Sequence, residues 1–346
     1  MKNELLSVII PVYNTSKSLD ACLNSVLRQD YSNLEIICID DGSEDNSLDI
    51  LKNFASKDSR IRIIQHKTNK GLLSARRSGV EAAQGDYIQF LDSDDTVDFG
   101  LFSTAIEAMR LNNVDIVQFP ARLTFLNSKK KDYMNPPLEK YTDKQILENF
   151  FVSMKVSTSL VVKIYKTEIC KKAFSEIPDI RCYVGEDILT SFFIAYYASS
   201  YLGVKTRAKY NYYFGSGISS ETKMPLNKFQ LYCEMNRFPE IIKTFLKDKP
   251  DNSLDEMSLK YLTFRLVSDC LINYSLVNNS DREEAGNLFW ESWKDNPYFS
   301  KAILYAVDNQ ANTINEIKNS ESYIIGNSII NPLHNVRVAL SSLKTS

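Results

Sequence analysis

Across its first 120 residues the chain repeats one pattern: a short β-branched run, a polar turn, then apolar residues at helical spacing. Val8-Ile9-Ile10-Pro11-Val12 is a continuous apolar run, as expected of a strand buried on both faces. Leu19, Cys22, Leu23, Val26 and Leu27 follow at i, i+3, i+4 spacing. A second unit runs from Ile36-Ile37-Cys38-Ile39 to Leu48, Leu51, Phe54 and Ala55, and a third from Ile61, Ile63 and Ile64 to Leu72, Ala75, Gly79, Val80 and Ala83. The fourth opens with Tyr87-Ile88-Gln89-Phe90-Leu91 and continues through Leu101, Phe102, Ala105, Ile106 and Met109, with Ile116-Val117 as a fifth strand. Such regular alternation predicts an α/β fold with a parallel sheet and helices on both faces.

Residues 121–225 are mixed: Leu160-Val161-Val162 and Tyr210 to Phe214 read as strands, and Asp187 to Tyr197 as a helix. From Leu226 onward the period is helical. Leu259, Leu262, Leu266, Cys270 and Tyr274 form one stripe, and Ser280 with Glu283 fits a capping box. A length of 346 residues suits two domains of about 100–200 residues. The expected division is a domain over 1–225, with halves 1–120 and 121–225, and an all-α appendage over 226–346.

Several functional classes drop out. With 41 Lys+Arg against 43 Asp+Glu, a net charge of −2 and no basic stripe, the chain does not read as a general nucleic-acid binder. The basic run Lys129–Lys131 reads as a solvated loop. Six widely spaced cysteines without a C-x-x-C pair indicate neither zinc nor a redox motif, and fit buried thiols in a reducing cytosol. The N-terminal residues carry no signal-peptide pattern, and no apolar run reaches the ~18 residues of a membrane span. A cytoplasmic protein is expected, with peripheral contact at the inner face of a membrane as the further option. No G-x-G-x-x-G follows strand 1, where Tyr13-Asn14-Thr15-Ser16 stands, which argues against a dinucleotide enzyme. A sugar nucleotidylyltransferase should carry a glycine-rich, basic loop near its start, also absent.

Ligands of open α/β sheets bind at the carboxyl ends of the strands. There this chain carries Tyr13-Asn14, Asp40-Asp41-Gly42-Ser43, Asn69-Lys70-Gly71 and Asp92-Ser93-Asp94-Asp95. Acids gathered so closely repel one another unless a cation or hydrogen-bond donors sit among them, and carboxylates suit Mg²⁺ or Mn²⁺. In an extended segment Asp92 and Asp94 would share a side, one holding sugar hydroxyls and the other the metal. Each acidic pair alone reads as a turn or helix cap. The whole set, at successive strand ends, is hard to explain as capping.

Ser7 to Asn14, Asp40 to Ser43, Asn69-Lys70-Gly71-Leu72 through Ala75-Arg76, and Gly85-Asp86-Tyr87 through Asp95 together resemble the family 2 glycosyltransferases of GT-A fold. The resemblance implies a Rossmann-like nucleotide-diphospho-sugar transferase domain with an inverting, metal-dependent activity on nucleotide-activated sugars. It also implies that Pro11, Tyr13, Asn14, Asp40 and Asp41 line a nucleoside pocket, one Asp accepting a uracil N–H. By the same resemblance Lys70 and Arg76 approach the diphosphate and sugar, Asp92 and Ser93 border the ribose or sugar, and Asp94, with Asp92 beside it, binds the metal. Arg77 stands where relatives often have Asn. Gly185-Glu186-Asp187 matches the family's Glu-Asp pair, with Asp187 as general base and Glu186 as its neighbour or an acceptor ligand; the plain alternative is a helix N-terminus favouring acids.

Tyr210-Asn211-Tyr212-Tyr213 through Gly215 to Ser219 resembles the family's mobile segment over the diphosphate, with Phe214 where relatives often have Arg or His. A tyrosine hydroxyl or Ser216 is the candidate substitute, with a plain loop as the equal alternative. His66 reads as structural. The implied reaction moves a hexose or N-acetylhexosamine from a UDP-sugar, UDP-glucose or UDP-galactose being the expected donors, to a hydroxyl of an acceptor glycan or glycoprotein. The competing reading is a non-catalytic GT-A protein that binds nucleotide sugars or acts as a scaffold. The helical appendage carries no chemical motif. Its apolar end, Tyr323-Ile324-Ile325 through Ile329-Ile330 and Val336 to Leu343, ranks as packed bundle first, homodimer interface second and membrane contact third.

Overall fold

The computed structural model describes residues 4–125, 130–214, 223–249 and 253–306. The chain divides into two compact units, Met1–Ser220 and Glu221–Ser346.

In the first unit, β1 (Leu6–Val12), α1 (Leu19–Leu27), β2 (Leu34–Asp40), α2 (Ser47–Ala55), β3 (Ile61–Gln65), α3 (Leu72–Ala82) and β4 (Tyr87–Phe90) follow the expected alternation. After β4 come β5 (Thr96–Val97), α4 (Leu101–Asn112), β6 (Ile116–Gln118), β7 (Ala121–Phe125), β8 (Lys130–Met134) and β9 (Lys140–Thr142). The unit ends with α5 (Lys144–Leu147), a π-helical turn at 148–152, β10 (Lys163–Lys166), α6 (Thr167–Glu176), α7 (Glu186–Tyr197), β11 (Ser200–Gly203) and β12 (Tyr210–Phe214). Every residue of β1 is buried, and β2 and β4 flank it in parallel, so the apolar run read from sequence is the spine of the core.

The main sheet runs β3-β2-β1-β4-β10-β6-β11-β9. The expectation of a parallel sheet holds for its first four strands and for the pair β6 and β11, but β10 is antiparallel to both β4 and β6, and β9 is antiparallel to β11. An antiparallel neighbour needs no crossover helix, and β10 arrives from the helical stretch at 144–152 instead. Leu160-Val161-Val162 is a buried turn, and the strand begins at Lys163. Lys163 Nζ donates to the carbonyls of Ser157 and Ser159, both at 2.6 Å, which draws the preceding residues into that turn. The apolar run thus signalled burial without extension. A second sheet, β5-β12-β7-β8, stands beside the turn that follows β4.

The second unit contains α8 (Leu226–Cys233), α9 (Arg237–Leu246), α10 (Ser253–Tyr274) and α11 (Arg282–Trp293). The predicted stripe on α10 is inward: Leu262, Leu266 and Cys270 are fully buried, with Phe229 of α8 against Tyr274 and Trp293 of α11 also in the core. The capping box does not form. Ser280 Oγ bonds Asp281 Oδ1 within a 3₁₀ turn, and α11 opens at Arg282. Among the described residues, no helix is long and apolar enough to cross a membrane. The stretch from Tyr323 to Leu343 lies outside the described residues.

All six cysteines are free and buried. Burial pushes the Cys38 thiol up to about 12 and raises Cys22 and Cys270 as well. A thiol must ionise to react. Ellman's reagent should therefore label the native chain slowly and all six thiols promptly in guanidinium; fast stoichiometric labelling of the folded chain would contradict the burial.

Candidate active site

The carboxyl ends of β1 to β4 converge, and the loops leaving them are tied to one another. Asn14, held at φ 53°, donates its N–H to Ser43 Oγ at 3.2 Å and accepts the Glu44 N–H at 2.8 Å on its side-chain oxygen. Gly42 has φ +74°, and a Cβ there would lie 2.8 Å from Asn69 N, so the turn after β2 admits only glycine.

Asp41 is spent on the next loop. Its Oδ1 accepts the Lys70 N–H at 2.9 Å and its Oδ2 the Gly71 N–H at 2.8 Å. His66 Nδ1 lies 2.6 Å from Asp41 Oδ1, and its Nε2 lies 2.9 Å from Ser78 Oγ, so the histidine is structural. Asp40 differs. Its Oδ1 accepts the Ser43 N–H at 3.1 Å, whereas Oδ2 is buried without a partner. A cavity of about 580 Å³ opens at these strand ends, lined by Tyr13 and residues 42–44 and 65–69. Of the expected nucleoside-pocket residues Tyr13 borders it; Pro11 is buried inside β1, and Asn14 and Asp41 brace its walls. Lys70 is exposed on the third loop.

The turn after β4 departs from the extended segment expected. Asp95 donates its N–H to the Asp92 carbonyl at 3.0 Å, so Asp92-Ser93-Asp94-Asp95 is a four-residue turn and the strand alternation ends at β4. The N-terminal end of α1 buttresses it: Thr15 Oγ1 bonds Ser93 Oγ at 3.0 Å, and Ser18 Oγ donates to the Ser93 carbonyl at 3.2 Å. Buried Asp95 accepts the Tyr210 hydroxyl at 2.6 Å and the Tyr213 N–H at 2.9 Å. Burial, then repulsion from Asp92 and Asp94, pushes its carboxyl up to about 8.

Arg76, expected beside a diphosphate, lies 2% exposed with its terminal nitrogens on two carboxylates. Nη2 meets Asp92 Oδ1 and Nη1 meets Glu186 Oε1, each at 2.9 Å. Burial opposes its charge, but Asp92, Glu186 and Asp187 raise its pKa above the ordinary arginine value. The Glu-Asp pair opens α7 after Gly185, whose φ of 76° turns the chain into the helix. Burial raises the Glu186 carboxyl above the usual carboxylate range, with Arg76 opposing and Asp187 adding to the rise. Asp187 is half-buried, its Oδ1 accepting the Ile188 N–H at 2.8 Å. One guanidinium thus joins the acidic turn after β4 to the acidic start of α7.

Two links escape the sequence reading. Arg77 donates to the carbonyls of Phe174, Ile177 and Pro178 at 2.6, 3.0 and 3.1 Å, holding the end of α6 and the start of the loop that leads to Glu186. Its only signal was an arginine where the resemblance suggests Asn. The tie from Asp95 to Tyr210 and Tyr213 was hidden because it depends on the second sheet. Residues 215–219, the rest of the expected mobile segment, lie outside the described residues.

This fold, with acidic turns converging at its strand ends, resembles the GT-A fold of glycosyltransferases. Residues 7–165, just under half of the chain, match the model of glycosyl transferase family 2. It is 41% identical over 135 residues to the uncharacterized glycosyltransferase EpsJ of Bacillus subtilis, covering 39% of this chain and 38% of that protein. It is 39% identical over 115 residues to glycosyltransferase GlyG of Streptococcus pneumoniae, covering 33% of this chain and 38% of that one. The matches thus span less than two fifths of these relatives' lengths. The crystal structure of S. aureus TarS 1-349 in complex with UDP-GlcNAc superposes with a TM-score of 0.65 at 20% identity, over 99% of this chain and 92% of the other, a likeness of fold.

Removing one partner of a buried ion pair leaves the other charge uncompensated. Arg76→Ala should lower the unfolding free energy by about 3–5 kcal/mol, measured by urea denaturation, and a loss below about 1 kcal/mol would contradict the bridge.

Proposed function

We propose that this chain transfers a hexose or N-acetylhexosamine from a UDP-sugar to a hydroxyl of an acceptor glycan, on a polysaccharide precursor or a glycoprotein, with inversion at the anomeric carbon. The observation that carries the proposal is the Arg76 bridge, which fastens the Asp92 turn and the Glu186-Asp187 pair into one frame. Inversion needs an acceptor-side base and a leaving-group site held at fixed separation, and a buried bidentate guanidinium supplies that rigidity.

Asp187 is the general base. Its half-buried carboxylate takes the acceptor hydroxyl proton as the oxygen attacks the anomeric carbon and the nucleoside diphosphate departs. Glu186, bound to Arg76, orients the pair and shares the acceptor side. Asp40 Oδ2, buried without a partner, is the acceptor for a uracil N–H, and Tyr13 borders the base cavity. Lys70 and the Arg76 charge favour the diphosphate electrostatically. UDP-GlcNAc in the TarS complex supports a UDP-sugar donor.

Among the described residues no three His, Cys, Asp or Glu side chains are grouped to hold a metal by themselves. Asp94 and Asp92 nevertheless fit Mg²⁺ or Mn²⁺: hard carboxylate oxygens crowd there closely enough to raise Asp95, and such ions take one or two carboxylates plus substrate phosphates. A bound ion would neutralise charge on the leaving diphosphate. The buried free thiols are compatible with a reducing, cytoplasmic setting.

UDP release from a panel of UDP-sugars, with and without Mn²⁺, tests the activity. Asp187→Asn should keep nucleotide affinity within about threefold while transfer falls by about 10²-fold or more; transfer at the wild-type rate would sink the base assignment. In Asp94→Ala, calorimetry should find that Mn²⁺ no longer strengthens UDP binding, and unchanged metal-supported affinity would remove the metal role.

A further inference from the structure

Between the π-helical turn at 148–152 and β10 the chain runs as a strap, and its carbonyl groups from 157 to 161 each accept from a buried side chain. Lys163 Nζ donates to the Ser157 and Ser159 carbonyls, and Ser191 Oγ donates to that of Thr158 at 2.6 Å. The Tyr165 hydroxyl donates to the Leu160 carbonyl at 3.1 Å, and Gln89 Nε2 to that of Val161 at 2.6 Å. A connecting segment ordinarily leaves such groups to water. Gln89 belongs to β4 and Lys163 and Tyr165 to β10, so the main sheet fastens the strap at four carbonyls, and Ser191 then joins it to α7 at the fifth.

Lys163 is 0% exposed, and its ammonium lies 5.3 Å from the Phe150 ring centroid. A buried charge is tolerated only where close acceptors surround it. A methionine would fill a similar volume with no charge to desolvate, so what the lysine adds is a fixed path for the strap. That path runs beside the acidic start of α7. Burial, then the Cys170 thiol, raises the pKa of the Tyr165 hydroxyl well above its ordinary value; the next influences are Arg76, which lowers it, and Asp187, which raises it. The tether at Leu160 therefore lies within electrostatic reach of both the bridge and the acidic pair.

Ser191 stands four residues beyond Asp187, on the same face of α7. Ile188, Leu189, Phe192, Phe193 and Ile194 are buried around that face, and apolar packing of this kind has no preferred direction. The directional bonds are polar. Arg76 holds the first residue of α7 through Glu186, and Thr158 holds the helix more than one turn further in through Ser191. One tether lets a helix turn about it, whereas two at different heights set its rotation and with it the direction of the Asp187 carboxylate. We propose that Ser191, with Lys163 behind it through the strap, is a positioning residue for Asp187, passing the register of the main sheet to the base. The proposal rests on the reading of Asp187 as base and adds what aims it.

The test follows UDP release from UDP-glucose, UDP-galactose and UDP-GlcNAc, with Mn²⁺ and purified bacterial surface glycans as acceptors, in wild type, Ser191→Ala, Asp187→Asn and the double variant. Calorimetry with UDP runs in parallel and reports folding. Ser191→Ala should bind UDP within about twofold of wild type and keep the donor KM, while kcat falls about tenfold. The double variant should be no slower than Asp187→Asn alone, because Ser191 acts only through the carboxylate already removed. A role confined to stability would leave kcat of folded Ser191→Ala unchanged, or add its loss to that of Asp187→Asn, and either result overturns the proposal. Tyr165→Phe, which takes one hydroxyl from the strap, should give the same kcat loss and carries the test if Ser191→Ala does not bind UDP; a wild-type kcat there overturns the proposal equally. Wild-type kcat in Asp187→Asn overturns the base assignment and the positioning role together, while a wild-type protein that releases no UDP overturns the glycosyltransferase reading on which both stand.

Discussion

The candidate site depends on one buried cation. Arg76, on α3, is covered on all sides and makes its two terminal contacts with carboxylates from residues 92 and 186, more than ninety positions apart in the chain. Burying a charge is costly unless its partners are close and well aligned, so the bridge tolerates little relative movement of the β4 turn and α7. The same bridge keeps the acids near it from forcing each other apart: Glu186, Asp187 and Asp92 all raise the arginine's pKa, the reverse side of the stabilisation it gives them. Pre-organisation of this kind is achieved at folding and needs no rearrangement when a ligand arrives.

Around that bridge, hydrogen bonds to backbone set the walls. Asp41 and Asn14 lie next to a cavity yet spend their side chains on loop N–H groups. Their work is to hold the cavity open at the right width, while Asp40 keeps an oxygen in reserve. Asp95 does the same on the far side, tying the acidic turn to β12 and so to the second sheet.

The parallel half of the sheet was legible because its strands are apolar on both faces and its helices keep a 3.6 period. The acidic strand ends were legible for a related reason, since strand ends in such a sheet are where polar residues must serve a ligand. What stayed hidden was pairing that depends on distant strands. Nothing local in Lys163-Ile164-Tyr165 says that it inserts antiparallel between β4 and β6, and nothing in Leu160-Val161-Val162 distinguishes a buried turn from a buried strand. Asp92-Ser93-Asp94 was misjudged as extended because alternation was carried one turn too far past β4. The roles of Arg76 and Asp41 were displaced for a different reason: sequence names the ionisable groups near a ligand, while geometry decides which of them the protein uses for itself.

Arg77 has a consequence for how the loop that leads into α7 can vary. Its guanidinium reads the carbonyl oxygens of Phe174, Ile177 and Pro178, and every residue type offers the same carbonyl. The clamp is therefore blind to side chains and strict about path. Side chains at 174 and 177 can change within the limits of packing while the backbone keeps its course into residue 186, so the loop before the Glu186-Asp187 pair can diversify in surface chemistry without moving that pair.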